Sequence, residues 1–129
     1  MVYVKKLAMV IIMVPNIEQA VAFYALFGLR LRFHLKDAWA EFSLGDTKLG
    51  ICPANNPAGD RRTGIVLEVE DLYGVYAALK ETVIFLGEPK KALHGIMVSF
   101  RDPGGNILDL YQPTPEKIGN FLNEVAQKQ

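Results

Sequence analysis

The chain repeats itself. Val14-Pro15-Asn16-Ile17 returns 55 residues later as Val69-Glu70-Asp71-Leu72. Phe42-Ser43-Leu44-Gly45-Asp46-Thr47-Lys48-Leu49-Gly50-Ile51 returns as Phe100-Arg101-Asp102-Pro103-Gly104-Gly105-Asn106-Ile107-Leu108-Asp109-Leu110, with one extra residue in the second turn. Around both copies the local signals give strand, helix, strand, strand, strand. A unit of that size cannot bury its apolar face alone. The expected fold class is therefore α+β: two βαβββ modules forming a curved eight-stranded mixed sheet, an open barrel, with helices on the convex face and a cleft on the concave one. One domain, 1–129, would hold halves at 1–52 and 64–112, a linker over 53–63 and a C-terminal helix over 114–127.

The elements follow from residue types. A run rich in Val and Ile predicts a buried strand over 7–14. Asn16 is placed to cap a helix over 17–26, with Gln19 at the third helical position and Gly28 closing it. Ile17, Ala20, Val21 and Tyr24 share one helical face, which marks packing. Strands over 29–35, 39–44 and 48–52 complete the first half. In the second, a strand over 64–69 leads to a helix over 72–82 capped by Glu70-Asp71. Gly74 inside it costs about 1 kcal/mol relative to Ala. A short strand over 83–86 precedes a hairpin of 96–100 and 107–111. Its turn, Asp102-Pro103-Gly104-Gly105-Asn106, combines a residue with preset φ and residues that tolerate positive φ. Thr114 and Pro115 open the last helix, whose Ile118, Phe121, Leu122 and Val125 stripe must bury against the domain or a second subunit.

Composition removes several classes of function. Lys plus Arg and Asp plus Glu are 14 each, so nothing favours nucleic acid or an anionic membrane surface. Cys52 is the sole cysteine, which leaves no intramolecular disulfide and no cysteine metal site. No apolar run approaches the roughly 18 residues that span a bilayer. Lys5-Lys6 precedes an apolar stretch, but that stretch is short and β-branched and leads into Pro15-Asn16, unlike a signal peptide. A cytoplasmic protein is expected.

The repeat, the segment Val14-Pro15-Asn16-Ile17-Glu18-Gln19-Ala20-Val21-Ala22-Phe23-Tyr24, Phe27-Gly28-Leu29, and the closing Asp102-Pro103-Gly104-Gly105-Asn106-Ile107-Leu108-Asp109-Leu110-Tyr111 carry a resemblance. The chain resembles the vicinal oxygen chelate superfamily up to Tyr111. That group includes glyoxalase I, bleomycin-resistance proteins, fosfomycin-resistance enzymes and extradiol dioxygenases. The resemblance implies the fold above and leaves the chemistry open, since one fold hosts many reactions. In metal-using members, a ligand comes from the first and from the last strand of each half. Carried over, those positions are Met9, Gly64, Gly50 and Asp109. Only Asp109 is a competent ligand for a hard or borderline ion, and about three ligands are needed. The standard metal site is expected to be absent, and no cofactor is expected, a divalent metal being disfavoured.

Strand parity then nominates the residues of the cleft. Ile11 and Met13 follow Met9; Val66 and Glu68 follow Gly64; Lys48 and Cys52 flank Gly50. Trp39, Glu41 and Ser43 share a face, as do Asp109 and Tyr111. Met9, Ile11, Trp39, Val66 and Tyr111 would supply apolar and aromatic wall, and Glu41, Lys48, Glu68 and Asp109 its polar groups. Each has a plainer role: Asp109 capping amides, Glu68 paired with Lys48, Glu41 solvated, Trp39 in the core, His94 in a loop. An imidazole is the side chain best suited to moving protons at physiological pH, so His94 is the acid/base candidate, with Glu68 and Asp109 as further catalytic candidates if the protein is an enzyme. Cys52 is expected to be inert.

Three functions follow. The first is a metal-free protein of the glyoxalase and bleomycin-resistance type that binds a small, partly aromatic organic molecule in the cleft. The second is a lyase, isomerase or dioxygenase using acid/base chemistry or a rebuilt metal site. The third is an assembly module with a vestigial cleft. A homodimer is expected, because exposed sheet edges need cover.

Overall fold

The computed structural model describes residues 3–55, 59–114, 122–123 and 125–127. Its contacts divide the chain into two units, Met1–Arg61 with Asp102–Asn106, and Arg62–Arg101 with Ile107–Gln129.

The first unit contains β1 (Val10–Val14), α1 (Ile17–Ala25), β2 (Arg30–Leu35), β3 (Trp39–Leu44) and β4 (Thr47–Pro53). The strands form one sheet in the order β1-β4-β3-β2, with β1 parallel to β4 and the other pairs antiparallel. Alternation sorts the side chains. Ile12, Val14, Ala40, Phe42, Leu49 and Ile51 are buried with Ile17, Ala20 and Tyr24 of α1, which packs on β3 and β4. Asn16 caps α1, its side chain accepting the Gln19 N–H at 3.0 Å, and Gly28 takes φ +81° just after it. β1 is shorter than the expected 7–14. β4 begins at Thr47, so the chain before Val10 has almost no strand beside it, and Leu7 is exposed.

The turn after the extra residue of the repeat belongs to this unit, and it is held by a buried polar cluster. Asp102 Oδ1 accepts the N–H groups of Gly104 (2.9 Å) and Asn106 (2.8 Å). Its Oδ2 accepts the Tyr24 hydroxyl (2.6 Å) and the Asn106 amide (2.9 Å). The Asn106 amide also donates to the Met13 carbonyl at 2.9 Å. Arg61 donates to Asn106 Oδ1, to Gly104 O and to Met13 O. A buried carboxylate demands donors, and here it has four. Burial, then the Asp102 charge and the hydrogen bond to it, push the Tyr24 hydroxyl far above the ordinary tyrosine range.

The second unit contains the bulk of β5 (Arg61–Glu68), α2 (Leu72–Leu79), β6 (Ile84–Phe85), β7 (Lys90–Lys91), β8 (Gly95–Arg101) and β9 (Asn106–Pro113). The sheet order is β5-β9-β8-β6, with β7 also on β8. Leu67, Leu72, Val83, Val98, Phe100, Leu108 and Leu110 are buried. Tyr76, Phe85 and Phe100 meet edge to face. Asp71 caps α2 through the Gly74 N–H at 3.1 Å. A Cβ on Gly74 would collide with that carboxylate, which is why a glycine stands in the helix.

The α+β class is as expected. The strands fall, however, into sheets of four and five that are not closed into a barrel. The additional strand has a local cause. The chain runs along one edge of β8 twice, as β6 and β7, and breaks between them at Gly87, whose φ is +125°. The linker expected over 53–63 is shortened from both ends, since β4 reaches Pro53 and β5 starts at Arg61; 56–58 are outside the described residues. The helix expected over 114–127, with its cap at Thr114 and its stripe, also lies largely outside them. Its described residues Leu122 and Val125 are exposed. No helix among the described residues is long and apolar enough to cross a membrane.

Candidate functional site

In the first unit, the nominated positions lie on the face of the sheet turned away from α1. Ile11 and Met13 alternate with buried Ile12 and Val14 and are 49% and 43% exposed. Met9 stands just before β1 and is half-buried. Trp39, Glu41 and Ser43 alternate with buried Ala40 and Phe42. Lys48, Gly50 and Cys52 alternate with Leu49 and Ile51, and Glu41 is directly opposite Gly50.

Two contacts organise this face. The Trp39 indole lies against Gly50: a Cβ built there would be 2.5 Å from Trp39 Cη2. The glycine is what leaves room for the ring against β4, and Trp39 is half-buried on the open face, outside the buried core. Lys48 Nζ stands 3.9 Å from Glu41 Oε2 across the strand pair. The expected partner of Lys48 was Glu68. Glu41 prevails because Ser43 pairs with Lys48, which leaves Glu41 on the diagonal. The Cys52 thiol is half-buried with its sulfur 3.7 Å from the Pro53 carbonyl.

Alternation along β2 fails, and for a visible reason. Leu31 pairs with Phe42, but Phe33 pairs with Glu41, so Arg32 is an extra, bulged residue. Beyond the bulge the faces exchange. Phe33 and Leu35 join Glu41 and Trp39 on the open face, while His34 turns to the helix side, where its Nε2 is 2.5 Å from Glu18. Before the bulge, Arg30 pairs with Ser43 on the open face. Arg30, Leu31, Arg32 and Ser43 line a hollow of about 410 Å³. Phe33, Arg30 and Arg32 were not among the sequence candidates. A strand reading with strict period two assigns Phe33 to the wrong side, and only pairing reveals the bulge.

In the second unit, Gly64, Val66 and Glu68 alternate with half-buried Ile65 and buried Leu67 and are exposed. Thr63 Oγ1 donates to the Ile107 carbonyl and the Val69 N–H to the Tyr111 carbonyl, so β5 runs beside β9 in the same direction. Gly64 has φ +76°, a left-handed conformation that side chains resist. Asp109 faces Ser99 across β8 and β9 and accepts its hydroxyl in a short hydrogen bond. It caps no amide. A groove of about 330 Å³ beside it is lined by Arg62, Glu88, Lys90 and Met97 among others. The Glu68 carboxylate has no partner among the described residues.

His94 stands before β8 and is exposed. Tyr111 donates to the His94 carbonyl at 3.0 Å, and its oxygen is 3.2 Å from His94 Nδ1. The phenol has one proton. Given to the carbonyl, it leaves the ring Nδ1–H to donate back, and Nε2 is then the open acceptor. Gly95 makes this pairing feasible, because a Cβ there would strike the Tyr111 ring and the Gln112 carbonyl.

Of the four positions that the resemblance assigns to metal ligands, only Asp109 carries a donor for a hard or borderline ion. Met9 offers a thioether, Trp39 occupies the space of a side chain at Gly50, and the Gly64 backbone disfavours any side chain. Asp109 is left, and it is engaged by Ser99. Among the described residues there is no group of three or more His, Cys, Asp or Glu arranged to hold a metal.

Comparison with known proteins agrees with this architecture. The fosfomycin resistance protein FosX from Listeria monocytogenes superposes with a TM-score of 0.74 at 14% identity, over 88% of this chain and 98% of that one. Lactoylglutathione lyase from Agrobacterium tumefaciens gives 0.66 at 19% identity, over 85% and 95%. TnmS3, an antibiotic binding protein from Streptomyces sp. CB03234, gives 0.69 at 28% identity, over 87% and 100%. The uncharacterized protein YetH of Bacillus subtilis (strain 168) is 38% identical over 65 residues, 48% of this chain, and the chain spans about half of that protein, 54%. The profile of the Glyoxalase/Bleomycin resistance protein/Dioxygenase superfamily matches residues 6–110. The chain therefore belongs to the glyoxalase/bleomycin resistance protein/dioxygenase superfamily.

Proposed function

We propose that this protein binds a small, partly aromatic organic molecule without the standard metal, on the sheet faces that carry the nominated residues. The observation that carries the reading is the Trp39 indole seated against Gly50, half-buried and outside the buried core. A ring in that position offers a stacking surface, and Ile11, Met13, Phe33 and Leu35 extend the apolar area around it. Glu41 and Lys48 are the proposed further contacts in the first unit, and Gly64, Val66, Glu68, Asp109 and Tyr111 those proposed in the second. The resemblance to the antibiotic-binding TnmS3 over that protein's whole length supports a binding role. The reading includes a cytoplasmic location and a homodimer; light scattering that returns the mass of a single chain removes the dimer.

Trp39 is the only tryptophan, so its fluorescence reports on this face alone. Titration with a panel of planar aromatic compounds is expected to quench it saturably, and Trp39→Leu to abolish the ligand-induced rise in Tm. A panel that neither quenches Trp39 nor raises Tm removes the binding reading.

The His94–Tyr111 pair supports a second reading, an enzyme in which His94 moves a proton, with Glu68 and Asp109 as further acid/base groups. Its test is turnover of aromatic or α-oxo substrates that His94→Gln abolishes. Turnover unchanged in that variant removes His94 from the chemistry.

A further inference from the structure

The hollow at the β2 edge carries charge of one sign. Arg30 and Arg32 line it with Ser43, and neither guanidinium has a hydrogen-bond or ion-pair partner among the described residues. Among the described residues no carboxylate lines it. Among the described residues of the strands, the acidic side chain on this face is Glu41, and it is matched by Lys48. The bulge creates the arrangement. It keeps Arg30 opposite Ser43 and inserts Arg32 beside it, then delivers Phe33 to the same face opposite Glu41. The second unit's groove is different, because Arg62 and Lys90 there share the lining with Glu88 and Asp109.

We infer that the ligand of the first unit is an aromatic anion, whose carboxylate, sulfonate or phosphate group sits between Arg30, Arg32 and the Ser43 hydroxyl while its ring system lies along Phe33 toward Trp39. This rests on the binding role proposed above and adds the chemical class of the ligand. Two guanidinium forks and a hydroxyl donor suit a planar or tetrahedral oxyanion, to which arginine donates in pairs. The reach is set by strand geometry. Ser43 and Trp39 are four residues apart on β3, roughly 13 Å at about 3.3 Å per residue, which a tricyclic acid approaches. The Glu41 carboxylate would by itself favour a cation, but among the described residues three cationic side chains, Arg30, Arg32 and Lys48, stand against it.

The test uses three probes of one shape: anthracene-2-carboxylate, its carboxamide and its aminomethyl analogue, titrated by Trp39 quenching and by calorimetry. The carboxylate is expected to bind about tenfold or more tighter than the amide, the amine most weakly, and the preference to shrink as salt rises. Arg30→Gln with Arg32→Gln should bring carboxylate and amide to equal affinity without weakening the amide. Both arginines are exposed, so the variant is expected to fold, and circular dichroism checks it. Equal affinities in the parent protein, tighter binding of the amine, or an unchanged preference in the folded variant overturns the anion assignment and leaves the binding role intact. Failure of all three probes to bind overturns both.

Discussion

At the residue scale, the buried Tyr24 does more than pack. Its hydroxyl is one of four donors to Asp102, so Tyr24→Phe leaves a buried carboxylate with one donor fewer. The expected cost is about 1–3 kcal/mol, read by urea denaturation at pH 7. The same residue sets an alkaline limit. Its folded pKa is raised, so the folded state keeps the proton that the unfolded chain releases near pH 10. Stability from this group is full below about pH 10 and declines above it, because the native state then binds more protons. Between pH 9 and 11 the parent should lose more stability than Tyr24→Phe; equal losses would show that another group governs the decline. Two glycines make a complementary pair. Gly64→Ala should cost about 1 kcal/mol for its left-handed φ, although nothing lies within 4 Å of the added Cβ. Gly50→Ala meets Trp39 directly and should shift its emission to the red as the indole lifts.

At the element scale, the bulge in β2 and the cap of α2 are the features that period-counting misses. Deleting Arg32 should close the bulge and leave Leu31 opposite Phe42 and Phe33 opposite Glu41. Tm is then expected to change by less than about 5 °C. Deleting Leu31 instead brings an arginine opposite Phe42, on the helix side, and should lower Tm much further. If the two deletions are equally harmful, the register is not what holds this edge. Gly74→Ala would gain about 1 kcal/mol in an open helix. Here the Cβ displaces the Asp71 cap, so no gain is expected in thermal unfolding. The sequence signals for both caps, Asn16 and Asp71, were sufficient because capping is local: a side chain three residues away accepts the N–H. The bulge was not legible, because an extra residue is defined only by what the neighbouring strand pairs with.

At the scale of the whole molecule, each unit folds around its own sheet and apolar set, and each brings different chemistry. One offers a tryptophan platform and two arginines, Arg30 and Arg32, with no partner among the described residues; the other offers Asp109 with Ser99 and His94 with Tyr111. The proposal of a metal-free protein predicts less than about 0.5 equivalents of any transition metal per chain after dialysis, measured by elemental analysis. A stoichiometric, retained ion would overturn it. The sequence by itself determined the family, the α+β class, the helix caps and the faces of β1, β3 and β4, because those depend on residue period and on neighbours a few positions away. The tertiary structure alone decided that the strands form two sheets, that Lys48 meets Glu41, that Asp102 is bound by Tyr24, that Phe33 joins Arg30 on the open face, and that Arg32 is bulged beside them. Those depend on which distant segments lie side by side, and a one-residue slip between strands exchanges the faces of everything beyond it.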